Sequence, residues 1–376
     1  MLRVIEYIKN NQDWKTTLTA EPYNLSITDD GNFTILKYSQ INSDFNNEIV
    51  RECRGLIIDK ECNPVCIPFF KFANYGEPYA DEIDWDSAIV EEKIDGSLIK
   101  VWHYGGSWIV STNGTIFAKN ASIGAEDGIE LKASNKYATF AELFESACAN
   151  ARLDFSSLDH RNTYMFELVS PYNRIVVPYE SIDIYHIGTR DNTTLQELEV
   201  DIGIKKPKIY QCGNLNDILE MASRLRYSEE GYVVKDKHYR RVKVKSPAYV
   251  AAHHLISGMN EKRLLELFRT NELSEFLTYF PEYKPHADAL SAKIERLVQY
   301  LDDLLDAKVN GLHYETRKDF ALVATKTMFP AFLFSYYDGK AKAPSEWIWA
   351  MANDKIIEHL SKCENAFSHA AKKHEN

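Results

Sequence analysis

Short runs of alternating apolar and polar residues fill the chain up to about residue 250. β-Branched and aromatic residues dominate these runs, and turn signals such as Asp95-Gly96 and Gly105-Gly106 separate them. The runs predict strands at 55–59, 88–94, 97–104, 107–112, 163–169, 174–179, 231–236 and 240–246. Helical periodicity interrupts them at 138–152 and 213–226. We therefore expect an α+β domain at residues 1–250, dominated by antiparallel sheet.

The pattern changes after Pro247. Within 287–306, apolar residues recur at the spacing of one helix face: Leu290, Ile294, Leu297, Val298, Leu301, Leu304 and Leu305. Prolines and glycines then separate further helical runs up to the end of the chain. Residues 251–376 are therefore predicted to form an all-helical domain.

Composition narrows the function classes. A chain of 376 residues suggests about two domains. No stretch approaches the roughly 18 apolar residues of a membrane span, and the N-terminal segment reads as a short amphipathic helix, so we expect a cytoplasmic protein with no membrane partner. The six cysteines lack the spacing of a disulfide framework or a zinc site, and we interpret them as reduced thiols.

The net charge of −11 argues against a broad basic surface for nucleic acid, so a polyanion must be met locally. Residues 237–245 contain five cationic side chains and no acid. In a strand, period two places Arg241, Lys243 and Lys245 on one face. An edge strand exposed to solvent is sufficient to explain this pattern. The more specific alternative is that the three cations bind a triphosphate.

Two acids lie in strand contexts where charge is unexpected. Glu230 enters a strand just before a glycine, and Glu167 lies inside the apolar run 163–169. Either could be a structural acid in a salt bridge. Together with several cations on strands, the pair suits a site for a metal and a polyphosphate better.

Lys93 stands one residue before the Asp95-Gly96 turn, in the sequence EEKIDGSLIK. A surface lysine beside a hairpin is the ordinary interpretation. Nearby cations and a divalent metal would disfavour the charged form of this amine and activate it as a nucleophile. The chain contains no GxxxxGK[ST] loop, no GxGxxG after a strand, no HExxH and no GxSxG, so the common kinase, dehydrogenase, protease and hydrolase patterns do not compete.

Ordered motifs link these residues to a known family. They are ECRG at 52–55, FKFANYGE at 70–77, KIDGS at 93–97, FELV at 166–169 with its extension to Tyr179, EGYV at 230–233 and KVKS at 243–246. In this order they resemble the covalent nucleotidyltransferases, and within them the phage-type RNA ligases involved in tRNA repair. The resemblance covers about residues 35–250.

The resemblance implies roles for individual residues. Lys93 would be the nucleophile that carries AMP. The nucleotide would be bound by Arg54, Lys71, Glu167, Glu230, Lys243, Lys245 and Tyr38, and a metal by Glu167 and Glu230. Asp95, Gly96, Asn113 and Tyr249 are further candidates. Two positions depart from the family: Asn113 precedes Gly114 where a lysine is frequent, which leaves open the side chain that supports the phosphates there, and Ala73 replaces an aromatic residue.

The implied function is an ATP-dependent RNA ligase that uses Mg²⁺, with Mn²⁺ as a substitute. It would join RNA 3′-hydroxyl and 5′-phosphate ends through lysyl-AMP and an adenylylated RNA end, with tRNA or single-stranded DNA as further candidate partners. Residues 1–250 would be the adenylation domain, and residues 251–376 an RNA-specificity module. The alternatives are another covalent nucleotidyltransferase, of DNA-ligase or capping type, and a catalytically silent module that binds RNA ends.

Overall fold

A computed structural model describes residues 1–40, 42–123, 136–256, 259–269, 273, 276–277, 280–310, 312–341 and 343–374, without the side chains of residues 254 and 367–374. The described residues form two compact units, one within 1–256 and the other within 257–376.

The described residues of the first unit contain three sheets. The first sheet contains β1 (Leu25–Asp29), β2 (Phe33–Tyr38), β3 (Arg54–Asp59) and β4 (Pro64–Cys66), in that spatial order. The strands of the other two are β5 (Ala73–Asn74), β6 (Ile89–Glu92), β7 (Ser97–Tyr104), β8 (Ser107–Thr112), β9 (Asn162–Val169), β10 (Asp183–Asp191), β11 (Glu197–Leu198), β12 (Ile209–Tyr210), β13 (Gly231–Lys235) and β14 (Arg241–Lys245). The second sheet has the order β11-β10-β9-β7-β8, and the third β12-β6-β13-β14-β5. Neighbouring strands are antiparallel except β14 and β5, which are parallel.

The helices of the first unit are α1 (Arg3–Asn10), α2 (Trp14–Thr19), α3 (Glu48–Glu52), α4 (Phe140–Ala151), α5 (Leu215–Ser223) and α6 (Pro247–Ile256). Short 3-10 turns lie at Trp85–Ser87, Ala118–Asn120 and Phe155–Ser157. Helix α4 begins at a capping box, in which the Thr139 side chain accepts from the Glu142 amide and the Glu142 carboxylate accepts from the Thr139 amide. This cap fixes the start of the helix that covers the second sheet.

The second sheet is buried on both faces. Ile99 and Val101 of β7 share a core with Phe144 of α4. On the opposite face, Trp102 packs with Phe33 of the first sheet, at 5.1 Å between ring centroids. Strands covered on both sides read as nearly continuous apolar runs, which is the pattern of 97–104 and 163–169.

The described residues of the second unit are helical wherever they have regular structure. Its helices are α7 (Glu261–Arg269), α8 (Lys284–Lys308), α9 (Arg317–Ala324), α10 (Pro330–Tyr337), α11 (Pro344–Trp349) and α12 (Asn353–His374), with a 3-10 turn at Pro281–Tyr283. Helix α8 buries the predicted apolar face except for Val298, which is half-buried. Among the described residues, no helix is long and apolar enough to cross a membrane.

The predicted fold class, an antiparallel-rich α+β region followed by a helical region, is confirmed. The prediction of a strand at 174–179 is wrong, because the amides of Val176 and Val177 donate to the Asp95 carboxylate rather than to a neighbouring strand. The hairpin at Asp95-Gly96 is also wrong. Strand β6 belongs to the third sheet and β7 to the second, so the turn crosses between sheets. The Gly105-Gly106 turn does join β7 to its antiparallel neighbour β8.

Candidate active site

Lys93 lies in the crossover from the third sheet to the second. Its backbone amide donates to the Gly231 carbonyl at 2.9 Å, which continues the pairing of β6 with β13 for one residue beyond the strand. The backbone of Lys93 is therefore fixed by the strand that follows Glu230.

The Asp95 carboxylate anchors the same crossover. Asp95 is 3% exposed, and its Oδ2 accepts from the amides of Val176 and Val177 at 2.9 and 2.7 Å. Its Oδ1 accepts from the Tyr249 hydroxyl of α6 at 2.8 Å. The Asp95 amide in turn donates to the Tyr179 hydroxyl at 3.4 Å. Asp95 and Tyr249, both candidates from the sequence, thus position the crossover.

Gly96 is in close contact with β9. A Cβ atom at this position would lie 2.5 Å from the Leu168 carbonyl oxygen and 3.1 Å from Cγ of Glu167. Real side chains do not make contacts this short, so the approach of the two strands requires glycine. The absence of a side chain lets the Lys93 crossover lie directly beside Glu167.

Glu230 pairs with two lysines at once. Its Oε2 lies 2.6 Å from Nζ of Lys93 and its Oε1 lies 3.0 Å from Nζ of Lys245. Glu230 is 5% exposed, whereas Lys93 and Lys245 are partly exposed, so the carboxylate is more deeply buried than the two lysines that pair with it. The sequence prediction that these three residues belong to one site agrees with this geometry.

Three further cations surround this group. The Arg54 guanidinium and the Lys243 ammonium both lie over the Phe72 ring, at 5.3 and 4.9 Å from its centroid. Burial and the charges of Arg54, Lys71, Lys93 and Lys245 lower the pKa of Lys243 to about 6. Within the described residues, Lys243 has no carboxylate partner. The site therefore carries more positive charge than its own acids compensate.

Lys71 and Tyr38 lie at one edge of the cation group, which consists of Arg54, Lys71, Lys93, Lys243 and Lys245. The Lys71 ammonium lies 5.3 Å from the Tyr38 ring centroid and 4.7 Å from that of Phe45, and it donates to the Gln40 side chain at 3.3 Å. Burial, with the charge of Arg54 in second place, lowers the pKa of Lys71. The buried Tyr38 ring thus packs beside the ammonium of Lys71, a candidate phosphate-binding residue.

Asn113 meets the backbone next to Arg54. Gly55 has a φ of +78°, and a Cβ there would lie 2.6 Å from the Asn113 carbonyl oxygen and 2.9 Å from Nζ of Lys100. The Lys100 ammonium, which is fully buried, donates to the Gly55 carbonyl. Burial lowers the pKa of Lys100 to about 8.

Lys100 is a residue that the sequence prediction missed. Its signal was a lysine within the apolar run 97–104, at the same kind of position that drew attention to Glu167. Because its ammonium is bound to the backbone beside Arg54, Lys100 brings a cation to the region where Asn113 replaces the family's lysine.

Glu167 is the remaining acid beside Lys93. Burial raises its pKa to about 7, with opposing contributions from the Lys93 cation, which lowers it, and the Glu230 carboxylate, which raises it. No hydrogen bond or ion pair to the side chain of Glu167 is found within the described part of the chain. Its carboxyl group therefore has its acceptor capacity available next to the nucleophile candidate.

The donor set fits a hard divalent cation. Among the described residues, no group of three or more His, Cys, Asp or Glu side chains forms a metal cage. Mg²⁺ commonly binds one or two carboxylates together with substrate phosphates and water. Glu167 suits such a role, whereas both oxygens of Glu230 are already paired with lysines.

Arg241 is the one cation of β14 that belongs elsewhere. Its guanidinium pairs with Glu197, at 2.6 Å between Nη2 and Oε2, and lies 4.5 Å from the Phe69 ring centroid. Strand periodicity places Arg241 on the face of Lys243 and Lys245, yet its charge is taken by Glu197 on β11.

A sequence comparison decides the family of this site. Residues 52–249 match the model of a family described as RNA ligase, and this range contains almost every residue of the group described above. The chain belongs to the RNA ligase family. A relative from Autographa californica nuclear polyhedrosis virus, named for polynucleotide kinase and RNA ligase functions, is 32% identical and aligns with 68% of this chain and 39% of its own. The RNA ligase of Rhodothermus phage RM378 is 25% identical over 88% of this chain and 91% of its own.

Solved structures of a Naegleria gruberi RNA ligase are also similar. A variant of that ligase with ATP and Mn is 17% identical, at a TM-score of 0.33, over 45% of this RNA ligase family member and 52% of that chain. The present chain therefore spans about two fifths of the baculovirus relative and about half of the Naegleria protein.

Proposed function

We propose that this protein is an ATP-dependent RNA ligase that works through a lysyl-AMP intermediate. The observation that supports the proposal is the group formed by Lys93, Glu230 and Lys245, with three more cations and Glu167 around it, inside the range that matches the RNA ligase family. A cluster of cations with few compensating acids suits the triphosphate of a nucleotide.

The proposed reaction has three steps. The Lys93 amine attacks the α-phosphorus of ATP, so an N–P bond forms, the bond to pyrophosphate breaks and the amine loses a proton. An oxygen of an RNA 5′-phosphate then attacks the AMP phosphorus, so a P–O bond forms, the N–P bond breaks and the Lys93 amine takes up a proton as it leaves. Finally, an RNA 3′-oxygen attacks that 5′-phosphate, loses its proton and releases AMP.

The residues of the site have separate roles in this scheme. Arg54, Lys71, Lys243 and Lys245 bind phosphate oxygens and stabilise the negative charge that develops on them. Glu230 holds the Lys93 side chain at 2.6 Å and is close enough to take up its proton. Asp95 and Gly96 fix the backbone of the nucleophile, which gains rate from this positioning.

Glu167 would hold Mg²⁺ or Mn²⁺, and Glu230 is a second ligand if its lysines move to the phosphates. When bound, such an ion supplies positive charge to the phosphate oxygens. A cation would also favour the ionised form of Glu167, whose burial otherwise favours the neutral acid.

We further propose that residues 1–250 are the adenylation domain and that the helical residues 251–376 choose the RNA, with tRNA and single-stranded DNA as candidate substrates. In support, the candidate site is built from the first unit alone. If the proposal is correct, a chain that ends at residue 256 keeps self-adenylation and loses discrimination among RNA substrates. Unchanged ligation of every substrate by the shortened chain would contradict it.

The central test is covalent labelling. Purified protein is mixed with Mg²⁺ and α-labelled ATP, and in parallel with labelled GTP, and the protein is separated under denaturing conditions. We expect acid-labile label from ATP in the wild type, no label in Lys93→Ala, and normal label in Lys60→Ala, which removes an exposed lysine.

Each other outcome is informative. Label that persists in Lys93→Ala refutes the assignment of the nucleophile. Label from GTP alone indicates capping chemistry. No label from either nucleotide, in protein that mass spectrometry shows to be free of AMP, supports a silent RNA-binding module.

A further inference from the structure

A cavity of about 490 Å³ adjoins the candidate active site. Residues 70–72, the turn between β10 and β11 and the turn between β13 and β14 line it. Lys71 and Phe72 belong to both sites, because each also contacts the cation group around Lys243. The volume lies in the range of pockets that bind small ligands.

Two buried arginines share one carboxylate in this cavity. Arg190 and Arg241 are each 5% exposed. Glu197 Oε1 lies 2.7 Å from Nη2 of Arg190, and its Oε2 lies 2.6 Å from Nη2 of Arg241. One carboxylate neutralises only one of two guanidiniums, and buried charge without a partner is costly. Nε of Arg190 is also buried and has no hydrogen-bond partner within the described residues.

The remaining charges of the lining leave the same surplus. Arg240 pairs with Asp236 at 2.7 Å, and the lining also contains one further cation, Lys71, and one further carboxylate, Asp81. The lining and its direct partners therefore carry one more cation than carboxylates. A single phosphodiester group carries the matching negative charge.

Aromatic side chains accompany these cations. The Arg190 guanidinium lies 4.3 Å from the Phe70 ring centroid, and that of Arg241 lies 5.7 Å from the Tyr239 ring centroid. Tyr239 has a φ of +61°, a conformation that is uncommon for residues other than glycine and that tends to occur at functional sites. Arginine and aromatic faces are the surfaces on which unpaired RNA bases stack.

We propose that this cavity binds one nucleotide of a single-stranded RNA end, with its phosphodiester against Arg190 and Arg241 and its base beside Tyr239. The proposal rests on the proposed RNA ligase function. Arg241 precedes Lys245 by four residues on β14, which corresponds to about 13 Å along the strand. The bound nucleotide is therefore not the one that reacts at Lys93, and the cavity holds the strand next to the joined end.

The test adds negative charge at the rim without removing a buried group. Gln196 and His238 are exposed residues of the lining, and the double variant Gln196→Glu/His238→Glu is compared with Ser107→Glu/Asn216→Glu. The control adds the same charge at two exposed residues that do not line the cavity. Binding of fluorescent single-stranded RNA is measured by anisotropy, with one arm for a 5′-phosphorylated donor and one for an acceptor with a free 3′-hydroxyl.

We expect the rim variant to bind RNA about tenfold more weakly in at least one arm, whereas the control stays within about twofold of wild type. Labelling by ATP should be normal in both variants, which also shows that they fold. Unchanged RNA binding overturns the proposal. An equal loss of ATP labelling also overturns it, because the cavity then serves ATP.

A second measurement covers the case in which the rim variant does not fold. Wild-type protein is cross-linked to RNA that contains 4-thiouridine, and mass spectrometry locates the attachment. Cross-links within residues 238–241 support the proposal, and cross-links that fall only elsewhere refute it. Both measurements read RNA binding directly, so absence of an AMP adduct in wild-type protein would refute the proposed function separately.

Discussion

The carboxylate of Asp95 provides the sharpest test of how Lys93, the proposed nucleophile, is positioned. It accepts three hydrogen bonds, from the amides of Val176 and Val177 and from the hydroxyl of Tyr249, and these tie the crossover that carries Lys93 to a loop and to α6. Asp95→Ala removes all three acceptors, whereas Asp95→Asn keeps an oxygen for the two amides and leaves an amide group that the Tyr249 hydroxyl can accept from.

The expected magnitude follows from the number of bonds. Hydrogen bonds to a charged group contribute about 1.5–3 kcal/mol each, and water that enters the space left by the side chain recovers part of this. We therefore expect the free energy of unfolding to fall by about 3–5 kcal/mol in Asp95→Ala and by about 1 kcal/mol in Asp95→Asn. In Tyr249→Phe, which removes one hydrogen bond, it should fall by about 1–2 kcal/mol. Misplacement of the amine by about 1 Å lowers the rate of adenylation by about 100-fold in Asp95→Ala.

Two assays follow this prediction. Hydrogen exchange reports the opening of the Val176 and Val177 amides, which should exchange much faster in Asp95→Ala than in Asp95→Asn. ATP labelling reports the position of Lys93 and should fall in the same order. The reasoning is refuted if Asp95→Ala exchanges these amides at the wild-type rate, or if Asp95→Asn is as impaired as Asp95→Ala.

Two further predictions concern charge. Burial lowers the pKa of Lys243 to about 6, so Lys243→Met should raise the melting temperature of the free protein near pH 7 while it weakens ATP binding. Lys245→Met breaks an ion pair with Glu230, so it should lower the melting temperature and also weaken ATP binding. A drop in melting temperature for Lys243→Met contradicts this reasoning. Burial raises the pKa of Glu167 to about 7, so between pH 4.5 and 7 the folded protein binds more protons at this carboxyl than the unfolded chain, and its free energy of unfolding falls as pH rises. Glu167→Gln removes this decline, so urea unfolding should show its stability relative to wild type rising by up to about 3 kcal/mol from pH 4.5 to 7; a difference that does not change with pH argues against the raised pKa.

Periodicity and motif order were sufficient to predict which residues the structure brings together in the candidate site. Strand β14 has the predicted alternation, and Lys245 does meet Glu230 and, through it, Lys93. This works because Glu230 directly precedes a strand that pairs with the strand of Lys245, so local patterns and sheet pairing place them together. The roles of these residues in the reaction stay predictions.

Periodicity failed where the backbone is bound by side chains rather than by strands. The run 174–179 is β-branched and apolar, yet its amides donate to Asp95, a residue about 80 positions earlier in the chain. Such a long-range acceptor leaves no local signal. The same limit explains the supposed hairpin at Asp95-Gly96, because two strands close in sequence joined different sheets.

The charges of β14 show why one strand face can serve two purposes. Arg241, Lys243 and Lys245 follow the same alternation, but their partners differ. Arg241 pairs with Glu197 and Lys245 with Glu230. Lys243 is desolvated and lies near four other cations, and no acid pairs with it among the described residues. A solvated edge strand would leave all three in water, with ordinary protonation. Lys243 is half-buried and has no carboxylate partner among the described residues, which instead favours a site that binds a polyanion. Phosphate oxygens would restore the charged form of this lysine and compete with Glu230 for Lys93 and Lys245. In the proposed reaction, binding of the triphosphate and release of Lys93 from the Glu230 carboxylate would then be parts of one electrostatic exchange.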